Sequence, residues 1–289
     1  MAAQAQAHKT SFLILSDTHN FERAAADPAT CPLAHEMPKV DVLLHCGDLT
    51  QVGGISAYKK ALRLLASFDA ELKLVIAGNH DISLDGAYWR THLDEDDEPE
   101  EHDAAVAIMT GPLAKEAGVT YLTEGTHRFM LRNGTTFSLF ASPYQPECGD
   151  WAFGYPRSAD HFAGIPANVD IVMTHGPPAG SLDYIPDKAE SAGCASLAKA
   201  VQVARPKLHC FGHIHEGYGH LLQKWQPMST DGTTGKIAEV VVAQAGRPES
   251  SGETVPLRVG LDTLMVNAAV MDGCNRPVNA PWVVELDLA

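Results

Sequence analysis

The residues of this chain that could do chemistry fall into five short polar motifs, each directly after an apolar run. In chain order the motifs are Asp17-x-His19, Gly47-Asp48, Gly78-Asn79-His80-Asp81, Thr174-His175 and Gly212-His213-x-His215. Any one of them has an ordinary explanation, such as a turn, a helix cap or a satisfied core histidine. Together they form one ordered set of nitrogen and oxygen ligands, which those explanations do not account for.

The last motif indicates a metal site. Residues two apart in an extended backbone point to the same side, so His213 and His215 can face one point, and Gly212 allows close approach. Carboxylates and imidazoles together favour Mn²⁺, Fe²⁺ or Zn²⁺ over Mg²⁺, which prefers oxygen and water ligands. The five motifs predict two divalent ions sharing one carboxylate, and spacing alone does not choose between Asp17 and Asp48 as the bridge.

The charge balance of such a centre indicates an anionic substrate. Two divalent ions and two aspartates leave surplus positive charge, which a bridging hydroxide and a phosphate could neutralise. Because metals lower the pKa of bound water, hydroxide is available near neutral pH. The predicted reaction is hydrolysis of a phosphate ester, with both metals acting as Lewis acids.

The apolar runs before the motifs predict the strands that position them. Strand, polar motif and helix alternate from residue 11 to residue 81, which is typical of α/β topology with functional loops at the carboxyl ends of strands. A helix is expected from Ser56, as its cap, to Phe68. Stretches rich in Gly, Ser, Thr and Pro over 226–236 and 246–258 predict loops.

Composition bounds the remaining possibilities. With 289 residues, no repeat and no clear linker, we expect a flexible tail over residues 1–10 and a single domain over residues 11–289. A net charge of −15 argues against long nucleic acids and anionic membranes as partners, and favours a small phosphoester or nucleotide. Oligomeric state is left open.

Cysteine usage and the N-terminus bear on location. The six cysteines include no C-x-x-C pair, which indicates reduced thiols. No apolar run has the length of a signal peptide or a transmembrane helix. The expectation is a cytoplasmic protein.

The five motifs together resemble those of the calcineurin-like metallophosphoesterase superfamily. The resemblance implies an α/β fold, a four-layer αββα sandwich of two mixed β-sheets flanked by helices. It implies that one ion is held by Asp17, His19, Asp48 and His215, and the other by Asp48, Asn79, His175 and His213, so that Asp48 bridges. It also implies that Asn79 and His80 contact the phosphate, that His80 protonates or stabilises the leaving oxygen, and that Asp81 orients His80.

Over nearly the whole chain the similarity narrows to the small metallophosphoesterase-domain proteins first known from brain, on residues 174–178, 192–194, 212–219 and 278–284. These are related to class III cyclic-nucleotide phosphodiesterases, which implies action on cyclic nucleotides or other small phosphodiesters. Gln51 replaces the metal-binding Tyr of purple acid phosphatases, and residues 51–54 lack the phosphate-binding Arg of Ser/Thr protein phosphatases. The alternatives are a nucleotide- or metal-binding protein with little turnover, a phosphomonoesterase, or a nuclease.

Other stretches allow two interpretations. The aromatic stretch 144–155 is either a small core that pins a loop or a stacking wall for a substrate ring, which makes Trp151 and Phe153 candidate substrate contacts. The acidic run 94–101 is interpreted as a solvated loop rather than a cation site. His45, His209 and His220, which fall outside the matched pattern, are expected to be structural.

Overall fold

The computed structural model describes residues 8–93, 95, 97–226, 237–246 and 252–288. The strands are β1 (His8–Leu15), β2 (Val40–His45), β3 (Ala70–Val75), β4 (Val119–Tyr121), β5 (Gly125–Met130), β6 (Thr136–Ser142), β7 (Gln145–Pro146), β8 (Gly154–Tyr155), β9 (Ile171–Thr174), β10 (Tyr184–Ile185), β11 (Glu190–Ser191), β12 (Leu208–Phe211), β13 (Gly219–Lys224), β14 (Ile237–Gln244), β15 (Glu253–Arg258), β16 (Asp262–Asn267) and β17 (Trp282–Leu288).

The helices are few and short. They are α1 (Ile55–Ala66), α2 (Gly86–Thr91), α3 (Glu101–Thr110), α4 (Pro112–Glu116) and α5 (Ala195–Ala204), with 3₁₀ turns at Arg23–Ala25, Pro32–Ala34, Ile82–Leu84, Pro186–Lys188 and His215–Gly217. Over the described ranges, no helix combines the length and the apolar character needed to span a bilayer.

Two mixed sheets form the body of the molecule. The larger has seven strands in the order β15-β14-β17-β1-β2-β3-β4, in which β1 to β4 run parallel and β17 pairs antiparallel with β1. The smaller has six strands in the order β13-β16-β12-β9-β6-β5, with a parallel centre and antiparallel edges.

Alternation along β1 shows how the layers pack, because successive side chains point to opposite faces. Phe12 and Ile14 belong to the core between the two sheets, whereas Leu13 and Leu15 belong to the core under α1, α3 and α4. A third core packs α5 against the outer face of the smaller sheet, with Val201 fully buried. The layers are helix, sheet, sheet and helix, which confirms the predicted four-layer sandwich.

Helix α1 shows how local sequence sets an element. Its apolar side is buried as predicted, with Tyr58 and Leu65 fully covered, and each such side chain contributes about 1.5–3 kcal/mol. The helix begins at Ile55 and its N-cap residue is Gly54, at φ 98°, rather than Ser56. At the other end the Ser67 hydroxyl donates to the Leu64 carbonyl at 2.6 Å.

Two boundaries differ from expectation. Residues 8–10 belong to β1 rather than to a tail, because β17 extends far enough to pair His8 with Leu288. Strand β15 lies within the predicted loop 246–258, because pairing with β14 supplies backbone hydrogen bonds that composition does not signal. Residues 1–7, 94, 96, 227–236, 247–251 and 289 lie outside the described part of the chain, and so do most of the expected loop 226–236, part of the expected loop 246–258 and part of the acidic run.

Candidate metal centre

The five predicted motifs lie at the carboxyl ends of five strands. Neighbouring strands β1, β2 and β3 of the larger sheet lead to Asp17, Asp48 and Asn79, and neighbouring strands β9 and β12 of the smaller sheet lead to His175 and His213. The His213 backbone N–H donates to both carboxylate oxygens of Asp17 at 3.1 Å, which joins the two groups. The two sheets therefore bring their functional loops to one place.

The backbone bends sharply at the predicted ligands. Asp17, His19, Asp48 and His213 all have φ between 40° and 67°. This left-handed conformation is uncommon outside glycine, although Asp and His adopt it more often than most residues. Hydrogen bonds between the loops hold it, for example from the His19 N–H to the Asp48 carbonyl at 3.1 Å. Such strain concentrates at functional sites.

Asp48 lies between the two halves of the site. Its Oδ1 accepts the His80 backbone N–H at 2.9 Å. Its Oδ2 is 3.7 Å from His19 Nε2 and 3.5 Å from His175 Nε2. Asp48 thus lies near imidazoles of both predicted ion sites, and Asp17 also belongs to both groups of possible ligands, so the geometry, like the spacing, leaves both carboxylates as candidates for the bridge.

Three histidines are oriented by backbone carbonyls. The Nδ1 of His19 bonds to the Thr50 carbonyl at 3.1 Å, that of His175 to Cys46 at 2.9 Å and that of His215 to Asp272 at 3.0 Å. Because a carbonyl only accepts, the proton is on Nδ1 and the lone pair on Nε2 is free for a metal.

These free lone pairs face other acceptors. His19 Nε2 is 3.4 Å from His215 Nε2, and His175 Nε2 is 2.9 Å from Asn79 Oδ1. Two acceptors so close together repel each other unless a proton or a cation lies between them. The donor set of this structure therefore fits bound cations.

In the absence of metal, two aspartate–histidine pairs, Asp17 with His215 and Asp48 with His175, set the pKa values at the centre. Burial raises the pKa of Asp17 and Asp48, but contacts with His215 and His175 outweigh it, so Asp17 lies well below its usual pKa and the pKa of Asp48 falls to about 2. Burial lowers the pKa of His175 and His215, but Asp48 and Asp17 outweigh it and raise each pKa to about 9. Protons thus occupy the positions that cations would take.

All seven predicted metal-binding residues lie together. Ligand atoms of Asp17, His19 and His215 lie within 4.8 Å of one another, and so do those of Asp17, Asp48 and His175. Asn79 joins the second group through His175, and the ring of His213 is 5.0 Å from that of His175. Burial, followed by the charge of His175, lowers the pKa of His213 to about 3, so its ring is neutral and able to bind a metal.

His80 lies beside these residues with its ring held from two sides. Its Nδ1 donates to the Gln51 carbonyl at 2.7 Å. The Trp151 ring lies against it, with centroids 3.9 Å apart. These contacts leave Nε2 as the ring atom that can transfer a proton to a substrate.

Asp81 does not contact the His80 ring, contrary to the expected orienting role. Its carboxylate instead accepts hydrogen bonds from Gly78 N at 2.9 Å, Leu49 N at 3.1 Å, Thr50 N at 2.9 Å and Thr50 Oγ1 at 2.8 Å. Thr50 precedes Gln51, and its hydroxyl also lies 3.2 Å from the His80 carbonyl, so Asp81 is connected to His80 through Thr50 and the loop that carries the Gln51 carbonyl. Burial, followed by the charge of Asp48, raises the pKa of Asp81 to about 7.

In the aromatic stretch 144–155, one residue borders the site and another packs in a small core. Trp151 borders the site through His80. Phe153 is only 6% exposed and packs edge-on against Tyr144, with ring centroids 5.6 Å apart. Its N–H donates to Asp85 at 2.8 Å, so Phe153 anchors the loop, and a contact between Phe153 and a substrate stays a prediction.

Two further histidines hold the loops of the site in place through hydrogen bonds to threonine hydroxyls. His45 Nε2 bonds to Thr18 Oγ1 at 3.0 Å, and His209 Nε2 bonds to Thr174 Oγ1 at 2.9 Å. Burial lowers their pKa to about 4 and about 3 respectively. Both roles are structural, as expected. His220 likewise packs edge-on against Trp282, with centroids 5.0 Å apart.

Sequence inspection missed several groups at the site. Cys148 Sγ lies 3.7 Å from His213 Nε2, and nothing in the sequence around Cys148 signals this contact. The orienting carbonyls of Cys46, Thr50, Gln51 and Asp272 carry no signal either, because every residue has a carbonyl and only the fold decides where it points.

A cleft of about 610 Å³ opens beside His213. Pro146, Pro177 and Ile185 supply apolar wall, and Arg157 and Lys188 also line it. Its volume lies within the range of small-molecule sites, so it can hold the part of a substrate that extends from the metal centre.

Comparisons with known proteins agree with this geometry. The family model described as calcineurin-like phosphoesterase matches residues 10–217, which include every predicted ligand. The chain is 32% identical over 290 aligned positions to metallophosphoesterase domain-containing protein 1 of Homo sapiens and of Mus musculus, covering 96% of this chain and 71% of each relative. It is 34% identical over 198 positions to UPF0046 protein T07D4.2 of Caenorhabditis elegans, covering 64% of this chain and 48% of that protein.

Proposed function

This chain belongs to the calcineurin-like phosphoesterase family, and from that premise we propose that it is a two-metal phosphodiesterase that hydrolyses cyclic nucleotides or other small phosphodiesters. Family membership supports a hydrolase of phosphoesters. The preference for diesters and the identity of the substrate are our proposal.

One observation carries the proposal. The Nε2 lone pairs of two imidazoles face each other, that of a third imidazole faces an amide oxygen, and all lie beside two buried carboxylates. One ion would be held by Asp17, His19, Asp48 and His215, and the other by Asp48, Asn79, His175 and His213. Bound there, divalent ions supply Lewis acidity and lower the pKa of water, which provides the nucleophile that hydrolysis needs.

The protein's own groups supply the rest of the chemistry. His80 Nε2 donates a proton to the leaving oxygen as the P–O bond breaks, and the imidazolium becomes neutral imidazole. The Gln51 carbonyl accepts the Nδ1–H of His80 and so orients the ring with Nε2 free. Trp151 covers one face of the ring and limits the access of water.

The substrate is expected to be small. The cleft beside His213 has room for a nucleoside-sized group, whereas the net charge of −15 opposes binding of a long polyanion.

A substrate panel tests the proposal on protein reconstituted with manganese or zinc. The panel contains bis-(p-nitrophenyl) phosphate, 2′,3′- and 3′,5′-cyclic AMP, p-nitrophenyl phosphate and a single-stranded oligonucleotide. We expect diesters and cyclic nucleotides to be hydrolysed fastest, and Asp48→Ala to abolish turnover while the exposed Asp69→Ala does not. Preference for the monoester or the oligonucleotide, or nucleotide binding without turnover, would replace the proposal with the corresponding alternative.

A further inference from the structure

A β-hairpin forms part of the wall of the cleft beside His213. The β10–β11 hairpin, with the 3₁₀ turn Pro186–Lys188 between its strands, lines the cleft together with the segment that carries Cys148. A substrate phosphate at the metal centre would leave the remainder of the molecule in this cleft. The residues of the hairpin wall therefore decide which substrate fits.

Two cations line this cleft without an ion-pair partner. Within the part of the chain that the structure describes, neither Arg157 nor Lys188 is paired, in contrast to Lys9, Lys39, Lys60, Lys207, Arg132, Arg258 and Arg276. Arg157 Nη1 donates to the Ala192 carbonyl at 3.5 Å, which holds the guanidinium at the end of the hairpin. Unpaired cations on a concave surface favour an anionic ligand group.

Both cations line the same cleft as a predicted metal ligand. His213 and Cys148 line it together with Arg157 and Lys188, and Cys148 Sγ lies 3.7 Å from His213 Nε2. A ligand in this cleft can therefore face the two cations and the metal side together.

Three carboxylates limit where an anion can sit. Glu147, Glu190 and Glu216 also line the cleft. The Glu216 carboxylate lies against the backbone of Gly273, and the Glu147 side chain lies against that of Gly154. The cleft is therefore not uniformly positive, and an anionic group is favoured only where Arg157 and Lys188 both reach it.

From this arrangement we propose that Arg157 and Lys188 bind a second phosphate, so that the substrates of this protein are phosphodiesters with an additional phosphate group. The proposal rests on the proposed phosphodiesterase function for the first phosphate only. Bis-(p-nitrophenyl) phosphate has no second phosphate and does not use the two cations.

Calorimetric titration of the manganese-loaded protein tests the proposal with 5′-AMP and adenosine 3′,5′-bisphosphate. We expect the bisphosphate to bind about 100-fold more tightly, at roughly tenfold for each cation. The variant Arg157→Ala/Lys188→Ala should lose that difference, because its affinity for the bisphosphate falls far more than its affinity for 5′-AMP. Arg132→Ala, an exposed cation between β5 and β6, should keep the difference. Equal affinities in the unmodified protein, or a difference that survives in the double variant, would overturn the proposal.

Alkylation locates the ligand without any turnover. Cys148 lines the cleft and Cys274 is exposed outside its lining residues. The bisphosphate should protect Cys148 from iodoacetamide and leave Cys274 reactive, and tight binding without this protection would contradict the assigned position. If binding and protection are found but no diester is hydrolysed, the second phosphate site stands and the proposed function fails.

Discussion

At the scale of single residues, hydrogen bonds on the far side of three imidazoles decide how the centre behaves. His19, His175 and His215 each give their Nδ1 proton to a main-chain oxygen, so each offers Nε2 to the centre. This arrangement fixes both tautomer and ring orientation before any ion arrives.

Proton release on metal binding follows from the raised pKa of His175 and His215, each about 9. At pH 7 both rings carry a proton that a metal must displace. We expect manganese binding at pH 7 to release about two protons per chain, and its affinity to rise from pH 6 to pH 9. Calorimetry in buffers of different ionisation enthalpy measures the release. A release that persists unchanged at pH 10 would contradict this assignment.

The stability of the metal-free protein should show the opposite dependence on pH. A histidine whose pKa is raised in the folded state stabilises the fold fully below its ordinary pKa of 6.5, and this contribution is lost as the pH rises through about 9. The melting temperature of the metal-free protein should therefore fall over that window, whereas that of the metal-loaded protein should not.

The role of His80 predicts a dependence on the leaving group. His80→Ala should lower kcat by roughly 10²–10⁴-fold for a cyclic nucleotide, whose alkoxide must be protonated. For bis-(p-nitrophenyl) phosphate the loss should be far smaller, since p-nitrophenolate leaves without a proton. His127→Ala, at a half-buried position on β5 away from the five motifs, is the matched control. Equal losses on both substrates would remove His80 from the role of proton donor.

The ligand set could be predicted from sequence at this scale, because its residue types are rare in ordered combination. The partners that orient the ligands could not, since they are backbone carbonyls. Asp81 shows the limit of motif reasoning, because its carboxylate accepts hydrogen bonds from backbone N–H groups and from the Thr50 hydroxyl instead of from the His80 ring.

At the scale of elements, the site depends on how closely the turn after β12 approaches the end of β1. An added Cβ at Gly212 would lie 2.0 Å from Asp17 Oδ2 and 2.2 Å from Ser16 Oγ. The turn therefore has no room for a side chain, and the position of Asp17 depends on that absence.

Gly212→Ala should displace Asp17 and impair metal binding more than folding. We expect a loss of about 1–3 kcal/mol in the free energy of unfolding, as for overpacking elsewhere, together with reduced metal content. Gly164→Ala is the control, because a Cβ there meets nothing within 4 Å. Denaturant titration and elemental analysis measure the two effects, and a fully metal-loaded Gly212→Ala protein would refute the argument.

The strands that precede the five polar motifs could be predicted, because each contains an apolar run and is followed by turn residues. The C-terminal parts of the parallel strands β1, β2 and β3 are buried on both faces, and residues 12–15, 42–44 and 74–75 there are all apolar. Strand β15 was missed because it lies at the sheet edge, where its pairing with β14 rather than its composition makes it a strand.

At the scale of the whole molecule, the first and last strands, β1 and β17, pair in the interior of the larger sheet. Strand β1 pairs with β17 from His8↔Leu288 to Ile14↔Trp282, and the same β1 leads into Asp17. Unfolding of either end should therefore dismantle the centre as well.

We expect one cooperative unfolding transition that shifts upward with metal. Binding to the folded state alone adds about 4 kcal/mol when the free ion is at 1,000 times its dissociation constant. Scanning calorimetry with manganese and with a chelator measures the shift, which should vanish in Asp48→Ala. Two separate transitions would contradict the expectation that residues 11–289 form a single domain.

The central claim is that this chain binds two divalent ions side by side, and counting them tests it most directly. Equilibrium dialysis against manganese followed by elemental analysis should give two ions per chain, whereas Asp48→Ala should fail to hold the pair. One ion or none at saturation, or two ions that persist in Asp48→Ala, would contradict the account.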